Sequence, residues 1–97
     1  MNKKIYISGK ISGIEAKAPT IFKKAEDVLI SQGWEPINPM TIQHKENSNW
    51  VDFMKNDIKA LFDCDSIFML KNWKRSKGAR LELNIAKKLQ MNVIFEK

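Results

Sequence analysis

The segment Lys71–Leu89 reads KNWKRSKGARLELNIAKKL and joins a basic loop to an amphipathic pattern. Ser76 and Gly78 close the loop, and the spacing of apolar residues predicts a helix that begins near Lys77. One face of this predicted helix is apolar and the opposite face is polar. The apolar residues are Gly78, Leu81, Ile85, Ala86 and Leu89. The polar residues are Arg80, Asn84, Lys87 and Lys88. Glu82 interrupts the apolar face, so its carboxylate is predicted to face the interior or a cleft.

A buried Glu82 requires an explanation, because an unpaired buried charge costs several kcal/mol, comparable to the whole stability of a small domain. One interpretation is structural: Glu82 pairs with Arg80, Lys4 or another base. The other interpretation is functional: the carboxylate lines a cleft and acts on a ligand there.

The composition predicts one globular domain of 97 residues, with 43% hydrophobic and 29% charged residues. No run of about 18 apolar residues occurs, and the first residues lead directly into a predicted strand, so we expect a cytoplasmic protein. The net charge of +6 favours an anionic ligand. Because the basic residues lie on three predicted elements, a nucleic-acid surface is not expected. The loop Trp73–Lys77 instead suits a phosphate, since its bases adjoin a hydroxyl and a helix start.

The chain alternates predicted strands and helices in the order β-α-β-α-β-α-β. The predicted strands are Lys4–Ser8, Trp34–Ile37, Asp65–Leu70 and Asn92–Phe95. The first predicted helix starts at Pro19 and stops at Gly33, the second runs from Asn49 or Trp50 to Asp63, and the third is the one described above. This order predicts a three-layer α/β fold, doubly wound and flavodoxin-like, with a parallel sheet of strand order 2-1-3-4 and helices on both faces.

Ligands in such folds bind where the winding reverses, here beyond the carboxyl ends of the first and third strands. The loops that leave these strands are Gly9–Ala18 and Lys71–Lys77. They are the loops richest in glycine, hydroxyl and basic residues, so the fold and the chemistry predict the same site. Asn38, after the second strand, is a further candidate for reaching the pocket.

The second predicted helix contains the same anomaly as the third. Its apolar arc consists of Val51, Met54, Ile58, Leu61 and Phe62, extended by Phe53 and Ala60. Asp57 falls within the extended arc, between Leu61 and Phe53. It either pairs with a helix terminus or a lysine, or it forms a pair of carboxylates with Glu82. Paired carboxylates in a cleft are the groups that glycosidic-bond cleavage uses.

The segments IYISGKISG, NDIKALFDCDSIFML and SKGARLELNIAKKL, in this order, resemble the nucleoside 2-deoxyribosyltransferase-like proteins, including the DUF4406 group. The resemblance implies that Glu82 is the nucleophile on the anomeric carbon of deoxyribose. It implies that Asp57, eight residues before Asp65, binds the sugar hydroxyls and assists proton transfer. The matching first-strand residues, which line the base and sugar site, are Tyr6, Ser8 and Gly9.

Ser76 departs from the transferase pattern, which has a second aspartate six residues before the nucleophile. The chain resembles the deoxynucleoside 5′-monophosphate N-glycosidases at this position, and this implies that Ser76 helps to hold the 5′-phosphate. Arg75, Lys77 and the helix amides around Gly78 would assist it. The family also completes its sites with residues of a neighbouring subunit, and the second predicted helix is apolar over more than half of its circumference when Phe53 and Ala60 are counted. A homodimer or higher homo-oligomer is therefore expected, with the apolar surplus packed against a second copy. The alternative is that Phe53 and Ala60 only border the cleft.

The remaining polar and aromatic residues allow simpler interpretations. Trp73 either stacks on a base or covers the cleft. Asp63 and Asp65 are predicted to serve in capping or turns, and Cys64 is predicted to be a core thiol. His44 has no second His or Cys at ligand spacing, so no metal is predicted, and no cofactor is expected.

Three functions follow from these patterns. The first is an enzyme that cleaves the N-glycosidic bond of 2′-deoxynucleotides or deoxynucleosides, by hydrolysis or by deoxyribosyl transfer. The second is a nucleotide-binding sensor that keeps the pocket without turnover. The third, a nucleic-acid-binding protein, has only the net charge in its favour.

Overall fold

The fold is known from a computed structural model, which describes residues 3–97. Four parallel strands form the sheet, in the order β2-β1-β3-β4. Their bounds are β1 Lys4–Ser8, β2 Glu35–Ile37, β3 Ser66–Met69 and β4 Asn92–Phe95. The predicted strand order is therefore confirmed, and each strand boundary lies within one residue of its predicted position. Ser8 pairs with Met69 in the register of β1 with β3, so these two strands end together.

Three helices cover the two faces of the sheet. They are α1 Ala18–Ser31, α2 Trp50–Phe62 and α3 Lys77–Lys88. Asn49 caps α2 in a reciprocal box with Asp52, and the Ser76 hydroxyl caps α3 by accepting from the Ala79 amide. Short 3₁₀ turns at Pro39–Thr41 and Trp73–Arg75 follow β2 and β3. The predicted three-layer arrangement is confirmed.

The alternation of β1 divides its side chains between the two layers. Ile5 and Ile7 pack with Phe22 and Leu29 of α1, whereas Tyr6 faces the layer formed by α2 and α3. Ser8 follows Tyr6 by two residues in β1, so the two side chains point to the same face of the sheet. Both hydroxyls therefore lie on the side that α3 covers. This placement determines the site described below.

The sequence predicted an apolar face on α2 and on α3, and on both helices the prediction centred that face on the wrong residues. On α3 the buried residues are Ala79, Glu82, Leu83 and Ala86. Leu81 and Leu89, predicted to be on the apolar face, are exposed. On α2 the buried residues are Met54, Asp57 and Leu61, while Val51 and Phe62 are exposed. Ala79 and Ala86 pack in one core cluster with sheet residues such as Ile67 and Met69, so small side chains form part of the contact, which hydrophobicity alone does not predict.

Asp57 consequently lies in the middle of the buried face of α2, between Met54 and Leu61 along the helix. The sequence placed it only in an extension of the apolar arc. The half-buried Cys64 packs against the core cluster on this side of the sheet. Asp63 is the C-cap residue of α2, and the Asp65 carboxylate accepts a hydrogen bond from the Lys4 amide.

Candidate active site

Glu82 is held by two hydroxyl groups of the central strand. The Tyr6 hydroxyl donates to Glu82 Oε2 at 2.8 Å, and the Ser8 hydroxyl donates to Glu82 Oε1 at 2.6 Å. All three side chains are buried, and Glu82 is only 4% exposed. Each carboxylate oxygen therefore has its own donor, and the two bonds fix the orientation of the carboxylate.

The first interpretation of Glu82, an ion pair with a base, is wrong. The ion pairs found among residues 3–97 join Lys23 to Glu26 and Asp27, so none of them involves Glu82. Burial raises the pKa of Glu82 to about 7, the hydroxyl donors Ser8 and Tyr6 act in the opposite direction, and the charge of Asp57 raises it further. The protein thus keeps a carboxyl that is costly to ionise and supplies it with donors rather than with a cation.

Asp57 has the same kind of burial but fewer partners. Its side chain is 9% exposed, and its Oδ1 atom is buried without a hydrogen-bond partner in the structure. It forms no ion pair among the described residues, and the N-terminus of α2 is capped by Asn49 and Asp52 instead. Burial raises the pKa of Asp57 to about 6. A buried acceptor without a donor is uncommon in folded proteins and calls for an explanation such as a ligand.

Glu82 and Asp57 line one pocket of about 510 Å³ at the carboxyl ends of β1 and β3. This volume is within the usual range for small-molecule sites. Six further predicted residues line the same pocket, namely Tyr6, Gly9, Arg75, Ser76, Lys77 and Gly78. Ser8 contacts Glu82 from the sheet. The structure therefore brings together nine of the eleven residues singled out in the sequence.

Two glycines allow close approaches at this pocket. A Cβ atom on Gly9 would lie 2.9 Å from the Leu70 Cβ atom, so no side chain fits there. A Cβ atom on Gly78 would lie 2.9 Å from the Met54 sulfur, and that buried side chain would have to move. Gly9 and Gly78 thus let the loop after β1 and the first turn of α3 lie close to the packed residues behind them.

The first turn of α3 offers backbone donors to the pocket. The Ser76 hydroxyl accepts from the Ala79 amide at 3.0 Å, and this bond uses one of the N–H groups that a helix leaves unpaired at its start. The amides of Lys77 and Gly78 precede it and have no acceptor within the helix. Arg75 and Lys77 line the pocket beside this turn, and unpaired amides at a helix start are groups that can bind an anion.

The structure places Asn38 and Trp73 outside the pocket lining. Asn38 is buried, and its side-chain oxygen accepts from the Met40 amide at 2.9 Å, which starts the 3₁₀ turn Pro39–Thr41. Trp73 packs against the core cluster on the α3 side, with its ring 5.8 Å from that of Phe95. Neither of the two interpretations of Trp73, base stacking or covering the cleft, agrees with this position, and neither Asn38 nor Trp73 contributes to the pocket lining.

An aromatic and apolar wall of the pocket was missed in the sequence, apart from Phe53. Its residues are Met40, Ile42, His44, Trp50, Phe53 and Met54. His44 meets Phe53 edge to face at 4.4 Å, and Lys77 Nζ lies 4.3 Å from the centre of the Trp50 ring. These contacts join a loop to helices that are distant in sequence, and no local pattern signals them. Phe53 borders the cleft, as one interpretation of α2 held.

Lys10 and Glu15 of the loop after β1 also line the pocket without having been singled out. The Lys10 amide donates to the Asn72 side-chain oxygen at 2.9 Å, and Lys10 Nζ donates to the Arg75 carbonyl at 3.2 Å. The two predicted binding loops are therefore tied to each other. A lysine directly after a strand-ending glycine at the switch point was the available signal for this residue.

Comparisons with known proteins agree with this fold. The profile of the family described as "Domain of unknown function (DUF4406)" matches residues 3–95. A 2-desoxiribosyltransferase from Leishmania mexicana has a similar structure, with a TM-score of 0.73 at 18% identity over 96% of this chain and 63% of that one. A 2-deoxyribosyltransferase from the psychrotolerant bacterium Bacillus psychrosaccharolyticus gives the same TM-score at 23% identity, over 95% of this chain and 70% of that one.

The chain thus spans somewhat less than two thirds of the Leishmania protein. No curated protein matches the chain in sequence. No helix among residues 3–97 has the length and apolar character needed to cross a membrane. Because the profile covers nearly all of the chain, the protein belongs to the DUF4406 family, and its flavodoxin-like fold is that of the 2-deoxyribosyltransferases.

Proposed function

We propose that this protein cleaves the N-glycosidic bond of 2′-deoxynucleosides or their 5′-monophosphates, by hydrolysis or by transfer of the deoxyribosyl group. The observation that carries the proposal is Glu82, a buried carboxylate with one hydroxyl donor on each oxygen, in a pocket that also contains Asp57. The two structurally similar proteins are named as deoxyribosyltransferases, which supports this reaction class.

Glu82 is proposed as the nucleophile. One of its oxygens attacks C1′ of the deoxyribose, the bond between C1′ and the base nitrogen breaks, and its electron pair leaves with the base. The base gains a proton from the Asp57 carboxyl as it departs, and the resulting Asp57 carboxylate accepts a proton from the group that attacks in the second step. Water then attacks C1′ of the glycosyl ester, which frees Glu82 and gives the sugar; in the transfer reaction a nitrogen of a second base attacks instead.

Tyr6 and Ser8 orient the Glu82 carboxylate for this attack. Their hydroxyls favour its ionised form, which is the reactive one, against the burial that favours the neutral form. A nucleophile held by two short hydrogen bonds loses little orientational freedom on reaching the transition state. The pKa of about 7 leaves a substantial ionised fraction near neutral pH.

Asp57 is proposed to bind a sugar hydroxyl and to assist proton transfer. Its unpartnered Oδ1 atom is an acceptor that a hydroxyl of the ligand would satisfy. Its pKa of about 6 lies close enough to neutrality for the carboxyl to exchange protons during turnover. This role explains why a carboxyl without a protein donor is kept in the middle of a buried helix face.

The remaining walls match the other parts of a nucleotide. The 5′-phosphate would lie against Ser76, the amides of Lys77 and Gly78, and the side chain of Arg75. The base would lie against the apolar wall that contains His44 and Phe53, where stacking stabilises any base. With the phosphate and the base in these places, the sugar would lie between the apolar wall and the carboxylates of Glu82 and Asp57.

The proposal is tested by incubating the protein with each deoxynucleoside and each 5′-monophosphate, alone and with a second base, and measuring free base by chromatography. Glu82→Gln should abolish base release because an amide of the same shape is a poor nucleophile. Glu46→Gln is the matched control, because this substitution makes the same chemical change at a residue that lies in an exposed turn. Absence of base release from every substrate at high enzyme concentration would contradict the proposal.

A sensor that binds a nucleotide without turnover is the second candidate. It is favoured by Ser76, which stands where the transferases have an aspartate and which already caps α3 through its hydroxyl. A thermal-shift experiment distinguishes the two functions, because a ligand at about 100 times its Kd adds about 2.7 kcal/mol to the free energy of unfolding. Stabilisation by a nucleotide that stays intact would support the sensor.

A further inference from the structure

A second depression adjoins the pocket on the side of the loop after β3. It has a volume of about 370 Å³ and is lined by Lys71, Asn72, Lys74 and Arg75. Arg75 lines both the pocket and this depression. Arg75 is therefore the residue that the two concavities share, and a ligand extending from one to the other would pass it.

The two concavities differ in their charge. The main pocket is lined by equal numbers of basic and acidic residues, which are Lys10, Arg75, Lys77, Glu15, Asp57 and Glu82. The second depression is lined by three basic residues and no acidic one. A phosphate in the main pocket meets cations that nearby carboxylates partly offset, whereas in the second depression no lining carboxylate offsets them.

The second depression is fixed relative to the pocket by hydrogen bonds. Asn72 accepts from the Lys10 amide at 2.9 Å, and the Arg75 carbonyl accepts from Lys10 Nζ at 3.2 Å. The Lys71 amide donates to the Glu96 carboxylate at 2.9 Å, which ties the other side of the loop to the end of β4. These bonds hold the loop itself in place, and the exposed side chains of Lys71, Lys74 and Arg75 extend from it.

We propose that the preferred ligand carries more than one phosphate: a 2′-deoxynucleoside 5′-diphosphate or triphosphate, with its outer phosphates in the depression of Lys71, Lys74 and Arg75. This inference rests on the proposed function for the position of the first phosphate. It extends that function by naming a substrate class that the 5′-monophosphate site alone does not require.

Charge explains why the outer phosphates would bind there. Each added phosphate brings at least one negative charge. Lys71 and Lys74 do not line the main pocket and form no ion pair among residues 3–97, although Lys74 Nζ lies 5.8 Å from the centre of the Trp73 ring. Because Lys71, Lys74 and Arg75 are exposed, each contact contributes modestly and is weakened by salt. The diphosphate should bind about tenfold more tightly than the monophosphate at low ionic strength, which corresponds to about 1.4 kcal/mol.

Calorimetry with Glu82→Gln measures this preference without consuming the ligand. The probes are the 5′-mono-, di- and triphosphates of deoxyadenosine, deoxyguanosine, deoxycytidine and thymidine, titrated without divalent cations at low and high salt. For at least one base, the Kd should fall from the mono- to the diphosphate, and the difference should shrink at high salt. Equal Kd values for the three forms of every base would overturn the inference.

The double variant Lys71→Ala/Lys74→Ala should reduce the ratio of monophosphate to diphosphate Kd toward one. Lys87→Ala/Lys88→Ala removes the same charge from the exposed last turn of α3 and should leave that ratio unchanged. An equal loss in both double variants would overturn the inference, because the preference would then follow net charge alone. A single-stranded oligonucleotide that binds more tightly than every mononucleotide would also overturn it.

The proposed function can fail separately. If no nucleotide releases base but the diphosphate preference holds and depends on Lys71 and Lys74, the catalytic proposal fails and the phosphate assignment stands. If base is released but all phosphate forms of each base bind equally, the phosphate assignment fails alone.

Discussion

Glu82 on α3 and Asp57 on α2 are two buried carboxyls that line one pocket, yet the protein surrounds them differently. Glu82 has a hydroxyl donor on each oxygen, whereas Asp57 has a buried oxygen without any donor. Burial is the largest cause of the raised pKa in both. The comparison shows that the fold completes the hydrogen bonding of Glu82 and leaves one buried acceptor of Asp57 open, where we propose that a ligand donates.

The largest expected difference between the two carboxyls is in catalysis. Glu82→Gln removes the nucleophile, and kcat/KM should fall on the order of 10⁴-fold or more. Asp57→Asn keeps the size and polarity of the side chain and removes only its charge and proton transfer, so a loss of about 10²-fold is expected. Steady-state kinetics of base release measure both variants. Equal losses would contradict the separate roles.

Stability as a function of pH gives the next largest effect. The folded protein keeps a proton on Glu82 up to about pH 7, while the unfolded chain loses it near 4.5. The folded state therefore binds more protons between these values, and the free energy of unfolding falls as the pH rises through this window, by roughly 3 kcal/mol. Asp57 acts in the same direction between 3.8 and about 6.

Chemical denaturation from pH 4 to 8 checks this prediction. In Glu82→Gln the contribution of Glu82 between pH 4.5 and about 7 should be absent, which leaves only the decline that Asp57 causes below about pH 6. In the double variant with Asp57→Asn most of the decline should be absent. Glu46→Gln should follow the wild-type curve. A wild-type stability that rises between pH 5 and 7 would contradict the account of both carboxyls.

The hydroxyl donors provide a smaller and more specific test. Removing a donor removes support for the ionised form, so Ser8→Ala and Tyr6→Phe should each raise the pKa of Glu82. The midpoint at which kcat/KM increases with pH should move upward by roughly one unit in each variant. Ser8→Ala is the cleaner variant because Ser8 reaches Glu82 without lining the pocket. An unchanged midpoint would show that the hydroxyls do not tune Glu82.

The fold could be predicted from the sequence, and so could the placement of Glu82 and Asp57 on inward-facing sides of their helices. The groups that surround the two carboxyls could not. Alternating hydrophobic strands and capped helices fix the topology locally, and a carboxylate within an apolar helical face is visible in one dimension. The two partners of Glu82 are distant from it in the chain. Ser8 is separated from Glu82 by 74 positions and Tyr6 by 76 positions. The resemblance to a family pointed to these residues, whereas the spacing alone suggested a basic partner for Glu82.

The errors arose where packing decides between equally apolar residues. Leu81 and Leu89 are as hydrophobic as Leu83, yet the sheet contact selects the stripe of Ala79, Leu83 and Ala86. Trp73 was placed near the ligand because it lies in the basic loop, but its ring turns to Phe95. The contact of His44 with Phe53 depends on how the loop after β2 folds back on α2, and no periodicity encodes that.

The outer face of α2 gives the smallest expected effect on the site itself. Val51 is 50% exposed and Phe62 is 59% exposed in the single chain. We propose that a second copy packs on this face about a two-fold axis, which keeps the helix that carries Asp57 in place. Light scattering at micromolar concentration should give at least twice the mass of 11.3 kDa, and Val51→Lys/Phe62→Lys should lower it. A wild-type mass near one chain would contradict this proposal.

The central claim, that Glu82 bonds to the sugar, is tested most directly by trapping. A 2′-fluoro-2′-deoxynucleotide slows both steps because fluorine destabilises the positive charge that develops at C1′. After rapid quenching and proteolysis, mass spectrometry should find the fluorinated sugar on the peptide that contains Glu82, and on no peptide of the Glu82→Gln protein. Release of base with no adduct at any time, or an adduct on another residue, would contradict the account.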